Sequence, residues 1–403
     1  MIVRGGTVVT ARGVERADIA IADDVITDVG PDLDADAEEI DAAGLHVFPG
    51  GIDSHVHFNQ PGRTEWEDIA HGSAALAAGG YTSFIDMPLN NLPVTTTVAA
   101  FDRKLAAMRR SSQLDYGLWG GLVPGNLEQL GPLVERGVMG FKAFMCPSGI
   151  DEFPACDERT LRDGMKRIAE LDSILLVHAE DPSLLREPTG PSAEEFVASR
   201  PAEAEISAIE RCVAMSRETG CRVHIVHVST GSGAELLRAD VSGETCPHYL
   251  LYTEADLERL GGVAKCAPPV RRERMDLMPI VVSDHSPSTL VLKQGEDFRK
   301  VWGGISGCQT TRQLLLALGV EPQQVAALTA TNIASRFRIA GKGDIAPGFD
   351  ADLWIVDLSH HAVVRKEDLL YKNPFSAHEG QHIRGRTLRT IHGKPKLIRP
   401  GRR

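Results

Sequence analysis

From Gly51 to Asp284 the sequence alternates short apolar runs with helix-like stretches, a pattern that few architectures accept. Strand-like runs occupy Gly51–His55, Thr82–Met87, Tyr116–Leu122, Gly140–Phe144, Ile174–His178, Arg222–His227, Val241–Cys246 and Ile280–Asp284. Most are separated by helix-like segments, namely Trp66–Ala78, Ala99–Arg110, Glu158–Glu170, Ala204–Glu218 and Ala234–Ala239. Strands alternating with helices pair in parallel, and this number of units predicts an α/β chain folded as a (β/α)8 TIM barrel. The segment Val270–Pro279, before the eighth strand, is only ten residues long and is crowded by Pro268, Pro269 and Pro279. A crossover with its helix needs roughly 10–12 residues, so packing is expected to be thin there.

Both ends of the chain read differently. Ile2–Thr10, Asp18–Ala22 and Val25–Val29 are strand-like, as are Asp352–Val356, Ala362–Arg365, Arg386–Ile391 and Lys396–Ile398. Two strand-rich ends around a long middle predict one small β-sandwich domain shared by both termini. The expected parts are 1–48 and 343–403, with the barrel at 49–342. The chain has 403 residues, enough for a large core. Lys and Arg number 43 against 55 Asp and Glu, a net charge of −12 that argues against a nucleic-acid partner. The acidic stretch Asp32–Glu39 and the basic tail Lys394–Arg403 are expected to be solvated. No apolar run approaches the length of a membrane span, and the first ten residues lack the apolar core of a signal peptide. Seven scattered cysteines with no CxxC pair read as reduced thiols, which suits the cytoplasm.

The strand ends carry the chemistry. Asp53-Ser54-His55-Val56-His57 closes the first barrel run. Residues i and i+2 of a strand share a face, so His55 and His57 can aim at one point. A lone HxH fits a metal pair or plain loop polarity. Three further runs also end in ligand-type residues: His178 in LLVH, His227 in IVHVS and Asp284 in VVSDH. Barrel active sites sit at the C-terminal strand ends. Four imidazoles and a carboxylate there suit zinc or a similar first-row divalent ion. Lys142 ends the fourth run between two phenylalanines. It reads either as a snorkelling lysine or as an amine that has taken up CO2, becoming a carbamate able to bridge two cations. Among the other candidates, His71 reads as surface and His224 as core, while His248 and His285 neighbour the site. Cys146 has no paired base that would make it a nucleophile.

These motifs, in this order, resemble the cyclic amidohydrolases of the amidohydrolase superfamily, a group of dihydroorotases, hydantoinases, dihydropyrimidinases and allantoinases. The similarity runs from about Met1 to Gly393 and includes the entry segment Asp41–Asp53 and the re-entry segment Gly343–Leu353. Within the group, FNQPGRTEW (Phe58–Trp66), MPLN (Met87–Asn90), SGIDEFP (Ser148–Pro154) and GGISG (Gly303–Gly307) are most similar to the allantoinases. The tyrosine that hydantoinases and dihydropyrimidinases carry after the bridging lysine is absent between Lys142 and Pro154.

The resemblance implies hydrolysis of the cyclic amide of allantoin to allantoate, with a related ring or a non-catalytic scaffold as the alternatives. It implies two divalent metal ions, zinc foremost, with cobalt, manganese or iron also possible. His55, His57 and Asp284 would hold one ion, and His178 and His227 the other. A Lys142 carbamate and a hydroxide would bridge them, with Asp284 moving the proton. Arg63, Asn90 and Ser306 are candidate substrate contacts or surface residues. A homo-oligomer, commonly a tetramer, is implied as well. Two departures from the family pattern stand near the site: Gln60 replaces a glutamate, and Ala267 replaces a serine.

Overall fold

The computed structural model describes residues 1–34 and 38–401. Part of the acidic stretch and the last two arginines of the tail therefore lie outside the described residues. Strands β1 (Ile2–Thr10), β2 (Gly13–Ala22), β3 (Val25–Gly30), β4 (Glu39–Asp41) and β5 (His46–Pro49) belong to one sheet. The sequence between β6 (Gly51–Val56) and β13 (Val241–Gly243) supplies the parallel strands β7 (Tyr81–Asp86), β8 (Asp115–Leu118), β9 (Gly120–Gly121), β10 (Phe141–Phe144), β11 (Ile174–His178) and β12 (Arg222–Ile225). The chain then returns to the first sheet as β14 (Leu353–Val363) and β15 (His382–Ile391).

The first sheet has seven strands, ordered β15-β14-β5-β1-β2-β3 with β4 on β1. The two ends of the chain meet where β14 runs antiparallel to β5. A separate apolar core lies beneath it, drawing Val3, Val8, Ile19 and Ile26 from one end and Ile345, Leu353 and Ile355 from the other. On β14, Leu353 and Ile355 enter this core while Trp354, Val356 and Leu358 enter the main one. That is the two-residue alternation of a strand covered on both faces.

The parallel strands form two sheets, β6-β7-β8 and β9-β10-β11-β12-β13. Only Trp119 separates β8 from β9. The predicted eighth strand, Ile280–Asp284, is not a continuous ladder. Within it Val281 pairs singly with Thr245, two residues past β13, and just after it His285 pairs singly with Val56 of β6. Asp284 has a φ of 45°, a left-handed turn that ends regular pairing.

Helix boundaries follow capping. Glu158–Glu170 is helical as predicted, started by the Asp157 carboxylate accepting from the Thr160 N–H. The predicted Trp66–Ala78 helix begins only at Ile69, because the Asp68 carboxylate caps it. The predicted Ala234–Ala239 helix lies earlier, at Gly231–Glu235, behind a Thr230 cap. Val270–Pro279 holds no helix. The helices of that connection are upstream, at Pro247–Leu251 and Glu254–Leu260, so its chain length is not the constraint it looked to be. Lys396–Ile398, predicted as a strand of the terminal domain, instead lies beside β8, where the Tyr116 N–H donates to the Lys396 carbonyl and the Ile398 N–H to that of Tyr116. Ile398 is buried in the main core, and that apolar contact draws the segment away from the first sheet.

Two buried cations join the terminal sheet to the parallel strands. Arg312 donates to the carbonyls of Gly80 and Pro49 and stacks over Trp354 at 4.2 Å. Lys342 meets Asp115, Asp350 and Asp352 at 2.7, 2.9 and 2.5 Å, which raises its pKa despite burial. Among the described residues no helix is long and apolar enough to cross a membrane.

Candidate active site

The C-terminal ends of the parallel strands open into a cavity of about 330 Å³. His55, His57, Lys142, His178, His227 and Asp284 all line it. Each is at most 8% exposed, so the predicted strand-end residues do converge.

Local structure aims them. Asp53, buried beside His55, accepts from the His55 and Ser283 N–H groups at 3.1 and 3.3 Å and ties β6 to the segment carrying Asp284. Burial pushes the Asp53 carboxyl up to about 7. After His57 the chain is held by Asp86, which accepts from the Phe58 N–H at 2.7 Å and pairs with buried Lys104 at 2.8 Å. Asn90, His227 and Asp284 have φ values of 72°, 41° and 45° and all face the cavity. For non-glycine residues such backbone costs roughly 1–3 kcal/mol each and persists only where the surroundings impose it.

The donors fall into two groups. His55 Nε2 and His57 Nε2 lie 3.2 and 3.5 Å from Asp284 Oδ1. His178 Nδ1 and His227 Nε2 lie 3.1 Å apart. The His55 and His227 rings, one from each group, have centroids 5.5 Å apart. Burial pushes His55, His178 and His227 below the usual imidazole range, toward the neutral form that binds metals. Burial opposes the charge on Asp284, but His55, His57 and His227 hold it well below the usual carboxylate range. Lys142 Nζ is buried without a hydrogen-bond partner, and burial pulls its ammonium down to about 7. His57 Nδ1 and His227 Nδ1 are likewise unpartnered. His55, His57 and Asp284 offer ligand atoms that lie within 4.8 Å of one another and could hold a metal ion, and the adjoining imidazoles of His178 and His227 are chemically suited to such a group.

Behind these donors stand residues that the strand pattern did not single out. Glu244, fully buried, contacts His55 Nδ1 at 2.6 Å and His224 Nε2 at 3.0 Å. Glu180 contacts His178 Nε2 at 2.6 Å and is clamped by Arg200 at 2.5 and 3.1 Å. Burial opposes the Glu180 charge, but Arg200 and His178 bring it to about 2. Such carboxylates fix imidazole orientation, and removing one typically costs about 10–100-fold in metal affinity. Glu244→Gln is accordingly expected to fold normally and weaken metal binding by about 10–100-fold. Competition against a chelator measures this, and an unchanged affinity would show that Glu244 does not orient His55. Both carboxylates had a signal, being charged residues next to or within apolar runs, Glu180 two positions after His178.

The substrate candidates separate. Asn90 lines the cavity; Arg63 and Ser306 are not among the residues lining it. Arg63 donates to the Asn90 carbonyl at 3.4 Å and lies over Trp66 at 5.1 Å. Ser306 Oγ is buried without a partner, and its carbonyl accepts from Ser376. Ala267 is on the cavity wall. Gln60 is turned to the helix Ile69–Ala78, where its carbonyl accepts from the Ile69 N–H at 3.3 Å. His224 bonds Ser242 and Glu244, His285 accepts from the Gly307 N–H, and His71 sits exposed against Asp68. Burial pushes the Cys146 thiol up to about 12, unsuited to a nucleophile.

Residues 46–381 match the model of the amidohydrolase family. An allantoinase of Rubrobacter xylanophilus is 49% identical, over 97% of this chain and 92% of its own length. An allantoinase of Solibacter usitatus is 47% identical over the same shares. Among solved structures, the L-hydantoinase (dihydropyrimidinase) of Arthrobacter aurescens superposes with a TM-score of 0.92 at 29% identity, covering 98% of this chain and 96% of that one. The dihydropyrimidinase of Brevibacillus agri gives 0.89 at 27% identity, over 99% and 95%. A strand-end cage of imidazoles, a carboxylate and a lysine, together with these likenesses along nearly the whole length, makes the chain a member of the amidohydrolase family.

Proposed function

We propose that the chain hydrolyses the cyclic amide of allantoin to allantoate. The observation that carries the reading is the convergence of His55, His57, Lys142, His178, His227 and Asp284 at the base of one cavity. Identity of 43–49% to allantoinases over at least 94% of the chain favours allantoin over other rings.

His55, His57 and Asp284 would hold one divalent ion, zinc by preference, and His178 and His227 a second, with a Lys142 carbamate between them. When bound, the ions supply Lewis acidity at the scissile carbonyl and water ionisable near neutral pH. The chain's own residues do the rest. Burial keeps a share of Lys142 as free amine at neutral pH, the form that attacks CO2 to give an N–C bond and release a proton. Asp284 takes the proton of the attacking water and returns it to the ring nitrogen as the C–N bond breaks. Asn90 borders the reacting ring, and Arg63 fixes the Asn90 carbonyl from behind. Ser306, whose Oγ is buried and unpartnered, is read as a further substrate contact.

We also infer a closed (β/α)8 barrel over 49–342, supported by the single pairings of Val281 with Thr245, just past β13, and of His285 with Val56 of β6, and a β-sandwich from 1–48 and 343–403, supported by its separate core. A homotetramer and a cytoplasmic setting complete the reading; seven unpaired, buried thiols support the latter.

Protein supplied with bicarbonate and zinc, cobalt or manganese is tested on allantoin, hydantoin, dihydrouracil and dihydroorotate. Allantoate from allantoin is expected. Rapid opening of dihydrouracil with none of allantoin would replace this reading by the dihydropyrimidinase one. Inertness on every ring would favour the scaffold reading.

A further inference from the structure

Two lysines outside the metal cage, Lys265 and Lys293, are buried without an ion pair to any carboxylate among the described residues. Both point at one segment. Lys265 Nζ donates to the carbonyls of Phe298 and Val301 at 2.6 and 2.7 Å and lies over the Phe196 and Phe298 rings at 4.6 and 5.2 Å. Lys293 Nζ donates to the Trp302 carbonyl at 2.9 Å and to that of Gly304. The Gly304 N–H returns a bond to the Lys265 carbonyl at 2.7 Å. Val301–Gly304 is a wall of the reaction cavity. Gly303 has open space where a Cβ would stand, so the segment's free side is at Gly303.

Burying a cation without a paired carboxylate is costly, and here it is answered by carbonyl dipoles, joined at Lys265 by the faces of Phe196 and Phe298. Burial pulls Lys265 down to about 8 and Lys293 to about 7. Four donated hydrogen bonds from two buried side chains hold the backbone of Phe298–Gly304 in one shape, which is what a binding wall needs in order to position a ligand.

We propose that Lys265 and Lys293 are positioning residues, a pair of clamps that fix Val301–Gly304 as the substrate-facing wall and so set the affinity for the ring. The proposal rests on the cavity being the substrate site, as argued above. It does not involve the metal cage; Lys265 itself borders the cavity, next to Cys266 and Ala267, whereas Lys293 is not among the residues lining it.

The test is Lys265→Met and Lys293→Met in the full, metal-loaded chain. KM for allantoin is expected to rise about tenfold in each. Loss of a contact shared by ground and transition states leaves kcat nearly unchanged, here within about threefold. Metal content is expected to match the wild type, and amide exchange across Phe298–Gly304 in the free protein to quicken about tenfold. An unchanged KM with a lowered melting temperature would reduce the lysines to structural parts and overturn the proposal. If the wild type does not turn over allantoin, the functional reading fails by itself, and the clamp is judged by exchange: unchanged protection in both variants overturns it. Lys265→Gln, which keeps N–H donors at shorter reach, replaces a methionine variant that does not fold, with the same readouts.

Discussion

Lys142→Ala is expected to give a folded chain that holds little metal and opens allantoin at least about 10³-fold more slowly. Folding should survive because Lys142 Nζ makes no hydrogen bond, so the substitution breaks none and leaves no buried polar group newly unpaired. Activity should not survive, because the imidazoles offer too little. His178 and His227 are two neutral donors 3.1 Å apart, and Asp284 lies beside the other pair, His55 and His57. Without an anion between the groups, two divalent cations would face each other across neutral nitrogens, and their repulsion would expel at least one. The measurement is metal per chain by elemental analysis, alongside kcat. Added formate or acetate should restore part of both, since a small carboxylate can occupy the space left by the side chain and supply the missing oxygens. A Lys142→Ala chain with two metals and normal turnover would show that the lysine is only a buried neighbour of Phe144.

The residues that would bind metal were readable because each terminates an apolar run. A strand buried on both faces has no packing use for a terminal imidazole or carboxylate, so His178, His227 and Asp284 stood out one at a time. What supports them was not readable in that way. Glu244 reaches His55 across 189 positions, a pairing that exists only once the strands are laid side by side, and Arg200 reaches Glu180 only because the connection after β11 folds back on itself past the helix Ala193–Ser199. The same limit explains the C-terminal segment. Lys396–Ile398 has strand composition, but composition does not name a partner, and Tyr116 on the parallel sheet takes it. Arg63 and Asn90 show the limit at atomic scale. Both are polar residues on loops at the mouth of the site, yet the left-handed turn at Asn90 is what brings it to the cavity, with Arg63 fastened behind its carbonyl.

Asp284→Asn is expected to lower kcat by about 10²–10⁴-fold, the usual worth of a positioned acid–base group, while leaving much of the metal in place. The asparagine keeps the shape and a carbonyl oxygen that can still face His55 and His57, so the site should remain assembled. It loses the ability to accept a proton. Asp284 suits that task by position: its Oδ1 is within 3.5 Å of both imidazoles, it borders the cavity, and its strained φ turns it off the strand end. The neighbouring imidazoles, His55 foremost, hold its carboxyl well below the usual carboxylate range against the effect of burial. Loss of turnover with metal retained would therefore separate proton transfer from metal binding, two roles that one carboxylate combines. Substantial residual turnover would move the proton to another group, and buried His248 is the next to examine, with both ring nitrogens unpartnered and one within 4.8 Å of an Asp284 oxygen. A His248→Gln, Asp284→Asn double substitution would then fall below either single change, whereas equal rates in the single and double variants would exclude His248 as the acceptor.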